Sequence, residues 1–223
     1  MVLLQFPLRG EWTAVRTPAA GIPTHGTDFL GQRFAYDFVR PTGRRWAPYG
    51  PLALTHFWVG VPATAFAAWA ASVFAAAPGK VLATRDGYPD RRWNHGGWTL
   101  ARHQLGHRLR PVRITPTDWS PLAGNYILVE GVDGVALYAH LQTGSIRPRP
   151  GDRLEAGDHL GAVGNSGRSA MPHLHFHLMD RPTVDAAGIE CGYAAFERWE
   201  TGAWHRARGH PAAGQRIRSL AAT

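Results

Sequence analysis

The chain has 223 residues, of which 44% are hydrophobic and 18% are charged, and these values exclude a chain that is disordered throughout. The formal net charge is +8, but the arginines are scattered and Lys80 is the only lysine, so we expect no nucleic-acid partner. Cys191 is the only cysteine, which excludes a disulfide within the chain.

Two apolar stretches were considered as export or membrane segments. The run at residues 2–7 is too short for the core of a signal peptide, so we expect none. Residues 51–78 are rich in apolar side chains, but His56, Pro62 and the shortage of Leu and Ile argue against a membrane span.

An aspartate stands inside an aromatic and β-branched run near the start of the chain. Residues 33–39 read as a strand that carries Asp37, and His25 and Asp28 precede it. Because a carboxylate within such a run would lose its hydration, Asp37 needs a partner or a metal ion to balance the cost of burial.

The middle of the chain has weaker patterns. Residues 40–62 read as a loop, and residues 63–77 could form a helix by propensity, although we favour short strands from about residue 73 around Pro78-Gly79. Residues 85–123 form a long insertion with little periodicity, which is typical of a functional border. Its histidines are expected to line a groove rather than to bind metal; they are His95, His103 and His107.

The pattern sharpens after residue 125. Residues 126–130 and 135–141 predict a β-hairpin around a Gly-Val-Asp-Gly turn, with Tyr138 and His140 on one face. The glycines at residues 151–167 have no strand-to-helix context, so they indicate tight turns between short strands rather than a phosphate loop.

The next strand carries three histidines at alternate positions. Side chains alternate between the faces of a strand, so His173, His175 and His177 share one face, while the apolar residues between them face the core. With His25, His140 and either Asp28 or Asp37, these imidazoles are candidate groups for a catalytic zinc site, which commonly uses two histidines and one carboxylate. Zinc-activated water hydrolyses amides readily.

Three motifs in order resemble the lysostaphin/LytM-like zinc peptidases of family M23. They are Tyr-Ala-His-Leu at 138–141, the Gly-Asp-His-Leu-Gly-Ala-Val-Gly-Asn-Ser-Gly run at 157–167 and Pro-His-Leu-His-Phe at 172–176. The resemblance covers roughly residues 70–180 apart from the insertion, and 20–40 more loosely.

The resemblance implies a function and a set of residues. It implies a zinc endopeptidase with one Zn²⁺ per chain, which cleaves peptides of bacterial peptidoglycan in the cell envelope or outside the cell. His25, Asp37 and His175 would hold the metal, and His140 and His173 would be the catalytic pair. His177 would be a supporting or a solvated residue.

The resemblance also implies an architecture. We expect an all-β fold, an antiparallel sheet of short strands related to hybrid barrels, with long loops and a short, partly helical C-terminal tail. The peptidase domain would comprise residues 1–182, including the insertion, and residues 183–223 would form an extension that packs on it or trails from it.

Several alternatives stay open at this level. In the commonest family pattern the upstream His and Asp are four residues apart, whereas here Asp28 and Asp37 lie three and twelve residues after His25. We prefer Asp37, and His56 or His95 could replace His25. A non-catalytic binder or activator on the same scaffold is a rival function, and so is a hybrid-barrel carrier domain, which would leave Asp37 idle.

Overall fold

The computed structural model describes residues 1–41, 60–94 and 114–220 of the chain. Strands dominate these residues, and the helical segments are short. The helical segments are Pro18–Ala20, Phe29–Phe34, Ala63–Ala65 and Ser120–Ala123. The strands are β1 Val2–Leu4, β2 Glu11–Arg16, β3 Tyr36–Val39, β4 Val61–Pro62, β5 Ser72–Phe74, β6 Gly79–Arg85, β7 Trp93–Asn94, β8 Asn125–Gly131, β9 Gly134–Leu141, β10 Arg153–Leu154, β11 His159–Ala162, β12 Leu174–Met179, β13 Gly188–Ile189, β14 Cys191–Glu200, β15 Ala203–Gly209 and β16 Arg216–Arg218.

Most of these strands join one large sheet. Its main path runs β1-β14-β16-β2-β3-β12-β9-β8-β6-β10, with β13 beside β12 and β15 beside β14. The pairings within this sheet are antiparallel except for β1 with β14. The predicted all-β fold of short antiparallel strands is confirmed. Among the described residues, no helix has the length and apolarity that a membrane span requires.

The central position of β12 confirms the alternation predicted for the histidine strand. β12 lies between β3 and β9, and Leu174, Phe176 and Leu178 are buried in the main hydrophobic core. His175 and His177 therefore point to the opposite face of the sheet, where a second cluster that includes Leu137 and Met179 packs.

The hairpin of β8 and β9 forms as predicted, but one detail of its pattern was wrong. The register places Ile127 opposite Tyr138 and Asn125 opposite Leu141, so β9 carries one extra residue between these pairs. His140 has a left-handed backbone, with φ of 61°. This bulge breaks the alternation, so Tyr138 faces the main core while His140 lies against the ring of His175.

The segments on either side of Pro78 form strands, yet they do not pair with each other. β5 pairs with β11, and β6 pairs with β8 and β10. The Ala-rich segment before them is helical only at Ala63–Ala65. The glycine-rich stretch contains β10 and β11 joined by turns, as predicted.

The expectation of a partly helical tail was wrong for the residues that the structure describes. β14 and β15 form a hairpin around Thr201 and Gly202, which both have positive φ, and Trp199 pairs across it with Trp204 at 5.3 Å between ring centroids. Aromatic cross-strand pairs favour strands over helix despite the Arg and Ala content. β16 then pairs with β2, so this segment shares the sheet of β3 and β12. A domain boundary at residue 182 stays a prediction.

Residues 42–59 and 95–113 lie outside the described part of the chain, and so do most residues of the predicted loop at 40–62. The same applies to the alternative ligands His56 and His95 and to the predicted groove histidines His103 and His107.

We expect Phe176→Ala to lower the free energy of unfolding by about 3–5 kcal/mol, because it leaves a cavity beside Tyr138 and Tyr193 in the main core. Val132→Ala is a matched control, since Val132 is 99% exposed, and its effect should stay within about 0.5 kcal/mol. Urea denaturation measures both. Equal effects of the two substitutions would contradict the central place assigned to β12.

Candidate metal centre

The site is built around a carboxylate that two strands place opposite a histidine. In the pairing of β3 with β12, Asp37 lies directly across from His175. Asp37 Oδ1 is 2.9 Å from His175 Nδ1, and both residues are buried. Side chains of residues directly opposite each other on neighbouring strands lie close together on the same face of the sheet. The register of β3 and β12 therefore produces this contact.

His25 approaches the same carboxylate from a loop. Its Nε2 is 3.0 Å from Asp37 Oδ2, while its Nδ1 is 3.0 Å from the Thr24 hydroxyl. The loop is anchored by the Thr24 N–H, which donates to the carbonyl of Arg33, and by the Arg16 guanidinium, which donates to the Thr24 carbonyl. The His25 ring therefore contacts Thr24, which hydrogen bonds to Arg33 and Arg16 fix in place, and Asp37, which lies within the sheet.

Three donor atoms at this point fit a zinc ion. Among the described residues, ligand atoms of His25, Asp37 and His175 lie within 4.8 Å of one another. Two imidazole nitrogens and one carboxylate oxygen are a donor set that zinc accepts at a site that keeps an open position. A buried carboxylate ringed by imidazoles is also the arrangement expected where a cation balances the charge.

The structure separates the two candidate aspartates. Asp28 is exposed and pairs with Arg33 at 2.8 Å, away from this cluster. Asp37 is the carboxylate that meets the histidines, as the sequence analysis preferred. Assignment of His25, Asp37 and His175 as metal ligands stays a prediction.

His140 and His173 lie beside the three donors, with their ring centroids 4.8 Å apart. Nδ1 of His140 is 2.9 Å from the carbonyl of Ser166, and Nδ1 of His173 is 2.7 Å from the carbonyl of Met171. A carbonyl can only accept, so each ring donates from Nδ1 and has Nε2 as its second nitrogen. His173 Nε2 lies 3.6 Å from Asp37 Oδ1, which shows that it points towards the cluster.

A network of buried groups fixes the bulge that carries His140. The Ser166 hydroxyl donates to the carbonyl of Leu141 and accepts from the N–H of Asn125. The Asn125 side chain donates to the same carbonyl, and the N–H of Gly164 donates to the carbonyl of His140. A left-handed backbone at a residue other than glycine is unfavourable, and it persists where the surroundings hold it in place.

Sequence reasoning missed Arg16 at this site and gave His177 two alternative roles. The Arg16 Nε atom lies 3.6 Å from Asp37 Oδ2, and its side chain is 55% exposed. Of the two roles that the sequence allows for His177, the solvated one does not fit, because this residue is 1% exposed and its Nδ1 lies 3.0 Å from His175 Nε2. The shared face of His175 and His177 was the available signal. For Arg16 there was none, because its distance from Asp37 depends on the pairing of β2 with β3.

The charges of the site oppose the effect of burial on Asp37. Burial alone would raise the pKa of its carboxyl, but His25, His173 and His175 together hold that pKa well below its usual range. For His140, burial and the neighbouring rings of His173 and His175 lower the pKa well below that of a free imidazole.

Comparison with known families gives a match within the chain. Residues 111–186 match peptidase family M23. The matched range contains His140, His173 and His175, whereas His25 and Asp37 lie upstream of it and enter the site through the fold.

Curated relatives match short parts of the chain. Endolysin 2638A of Staphylococcus phage 2638A is 32% identical over 91 residues, which are 39% of this chain and 19% of the relative. The cell division protein DipM of Caulobacter vibrioides is 40% identical over 65 residues, 29% of this chain and 10% of the relative. The peptidoglycan DD-endopeptidase ShyA of Vibrio cholerae is 37% identical over 69 residues, 30% of this chain and 16% of the relative. The chain thus matches less than a fifth of each relative's length.

The burial and charge of Asp37 predict a pH dependence for the metal-free protein. Because the folded-state pKa of Asp37 lies below the usual value of about 3.9, its carboxylate stabilises the fold above that pH. This contribution is lost as the pH falls through the unfolded value towards the folded one. The stability difference between the wild type and Asp37→Asn should therefore be larger at pH 6 than at pH 3.

Urea denaturation of both proteins in a chelator, at each pH, measures this difference. Asp28→Asn is the control, and its effect should be small because that residue is exposed. An Asp37→Asn difference that grows as the solution becomes more acidic would contradict the charge arrangement described for the site.

Proposed function

We propose that the chain is a zinc-dependent endopeptidase in which His25, Asp37 and His175 hold one Zn²⁺. The observation that carries the proposal is the convergence of these three donors on one point, next to two imidazoles whose Nδ1 atoms are held by carbonyls. The M23 match supports the same class of reaction. When bound, zinc would polarise the scissile carbonyl and lower the pKa of a water to about 7.

The chain's own residues would handle the proton. With Nδ1 donating to a carbonyl, the Nε2 atoms of His140 and His173 can each accept a proton from an attacking water. An imidazolium formed in this way then carries an Nε2–H, which can donate to the carbonyl oxygen or pass its proton to the departing amine. The fixed carbonyl contacts keep both rings oriented while the proton moves.

We propose peptidoglycan peptides as the substrate and the cell envelope or the extracellular space as the location. Support comes from the relatives, one of which is named a peptidoglycan DD-endopeptidase and another an endolysin. The net charge of +8 is compatible with an anionic wall. The half-exposed Arg16 beside Asp37 adds a cation at the site itself.

Removal of a proposed ligand should abolish zinc binding and peptidase activity together. His175→Ala and Asp37→Ala should each lower zinc affinity by more than about 100-fold, because even the groups that support a ligand contribute about 10–100-fold. Titration against a chromogenic chelator measures the affinity, and release of peptides from purified peptidoglycan measures the activity.

Asp28→Ala is the matched control for that experiment, since it removes an exposed carboxylate close to His25 in the sequence. Wild-type affinity and activity are expected for it. If Asp28→Ala lost zinc while Asp37→Ala kept it, the ligand set would have to be reassigned.

Removal of either proposed catalytic histidine should lower the cleavage rate without a comparable loss of zinc affinity. His140→Ala and His173→Ala should lower the rate of cleavage by about 10²–10⁴-fold, which is the usual contribution of a general acid or base, while zinc affinity stays within a few-fold. Loss of zinc in His140→Ala would instead place His140 among the ligands.

Mass spectrometry of the released products decides between catalysis and binding. Chelator-sensitive new amino termini, restored by added zinc, would establish a metallopeptidase and identify the bond that it cleaves. A folded, zinc-loaded protein that releases no peptide would point to the rival function of a non-catalytic binder or activator.

A further inference from the structure

The mechanism above leaves one buried imidazole of the site without a role. His177 follows His175 by two residues on β12, on the same face, and is 1% exposed. Its Nδ1 lies 3.0 Å from His175 Nε2, and the two rings meet edge to face with centroids 5.2 Å apart. An apolar side chain could fill the same space without the cost of burying polar nitrogens. The polar contact with His175 therefore indicates a role beyond packing for His177.

The His177 ring packs beside the main chain of Leu30. His177 Nε2 is fully buried and, among the described residues, has no partner within hydrogen-bond geometry. His175 turns its Nδ1 towards Asp37, so a metal held on that atom would leave the proton of His175 on Nε2. Nδ1 of His177 is then the acceptor in the contact between the two rings.

The position of Leu30 is enforced by the fold. Leu30 has φ of 58° and its side chain is buried, and Gly31 has φ of 69°. A Cβ at Gly31 would come within 2.6 Å of the Met179 Cβ atom at the end of β12, so this segment is pressed against the histidine strand. The Leu30 N–H donates to the carbonyl of Val184, which holds the turn from its other side.

We propose that His177 is a positioning residue, whose Nδ1 accepts from Nε2 of His175 and so keeps the Nδ1 lone pair of His175 turned towards the metal. The proposal rests on the proposed function, because it assigns a purpose to the orientation of a zinc ligand. A histidine that binds metal through one nitrogen usually donates from the other, and loss of that acceptor costs about 10–100-fold in affinity.

Three variants of the full chain test the proposal. His177→Phe keeps a ring but removes the acceptor, and it should weaken zinc binding by about 10–100-fold in a chelator competition titration. His177→Gln restores an acceptor and should bind within about threefold of the wild type. His205→Phe is the control, since His205 is exposed on β15 and should not change the affinity.

The Co²⁺ spectrum of each variant gives a readout that does not depend on activity. His177→Phe should alter the ligand-field bands of the bound ion, while His177→Gln and His205→Phe should leave them close to those of the wild type. Zinc affinity and a spectrum unchanged in His177→Phe would overturn the proposal.

The tautomers of the wild-type protein give a second test, which no folding defect of a variant can affect. Nitrogen NMR of the zinc-loaded chain should find His175 and His177 both protonated on Nε2. Protonation of His177 on Nδ1 would overturn the proposal. A wild type that binds no zinc would instead overturn the proposed function, which keeps the two failures distinct.

Discussion

The contact between Asp37 and His175 is the interaction on which the rest of the site depends. An ionised carboxylate in the interior of a protein is costly unless other groups compensate for its lost hydration. Here the compensation comes from His25, His173 and His175, with Arg16 at the edge. Because Asp37 and His175 are cross-strand neighbours, the register that buries the apolar face of β12 also assembles the polar one.

Two residues with left-handed backbones border this arrangement. His140 belongs to the bulge of β9 on one side of β12, and Leu30 belongs to the turn before β3. Each left-handed residue costs of order 1–3 kcal/mol of strain. Each also places at the site one group that would point elsewhere in a regular strand or helix. For His140 the group is an imidazole, and for Leu30 it is the main chain beside His177. The surrounding hydrogen bonds of Ser166 and Val184 hold these conformations.

The sequence predicted the parts of the site that depend on strand alternation. Asp37 could be found because a charge inside an apolar strand calls for a partner, and His175 because three histidines share one parity. The shared face of Tyr138 and His140 was predicted wrongly, because a bulge is decided by the pairing of β8 with β9 and not by β9 alone. Arg16 could not be found, since its distance from Asp37 depends on strands that meet only in the fold.

The same limit explains the tail. Its Arg and Ala content suggested helix by local propensity, but the segment pairs with β1 and β2, which lie almost two hundred residues earlier. Strands of this kind gain their stability from distant partners, so local composition gives weak guidance. Composition alone therefore predicted the wrong secondary structure for residues that pair within the large sheet.

The long interval between His25 and Asp37 acquires a physical meaning from these contacts. A separation of four residues would carry the chain directly from one donor to the next, whereas twelve residues leave room for the segment Phe29–Phe34. That segment packs against the end of β12 through Gly31 and brings the main chain of Leu30 beside His177. The twelve-residue spacing of His25 and Asp37 and the presence of His177 on β12 thus belong to one arrangement. A change in either would alter the surroundings of His175.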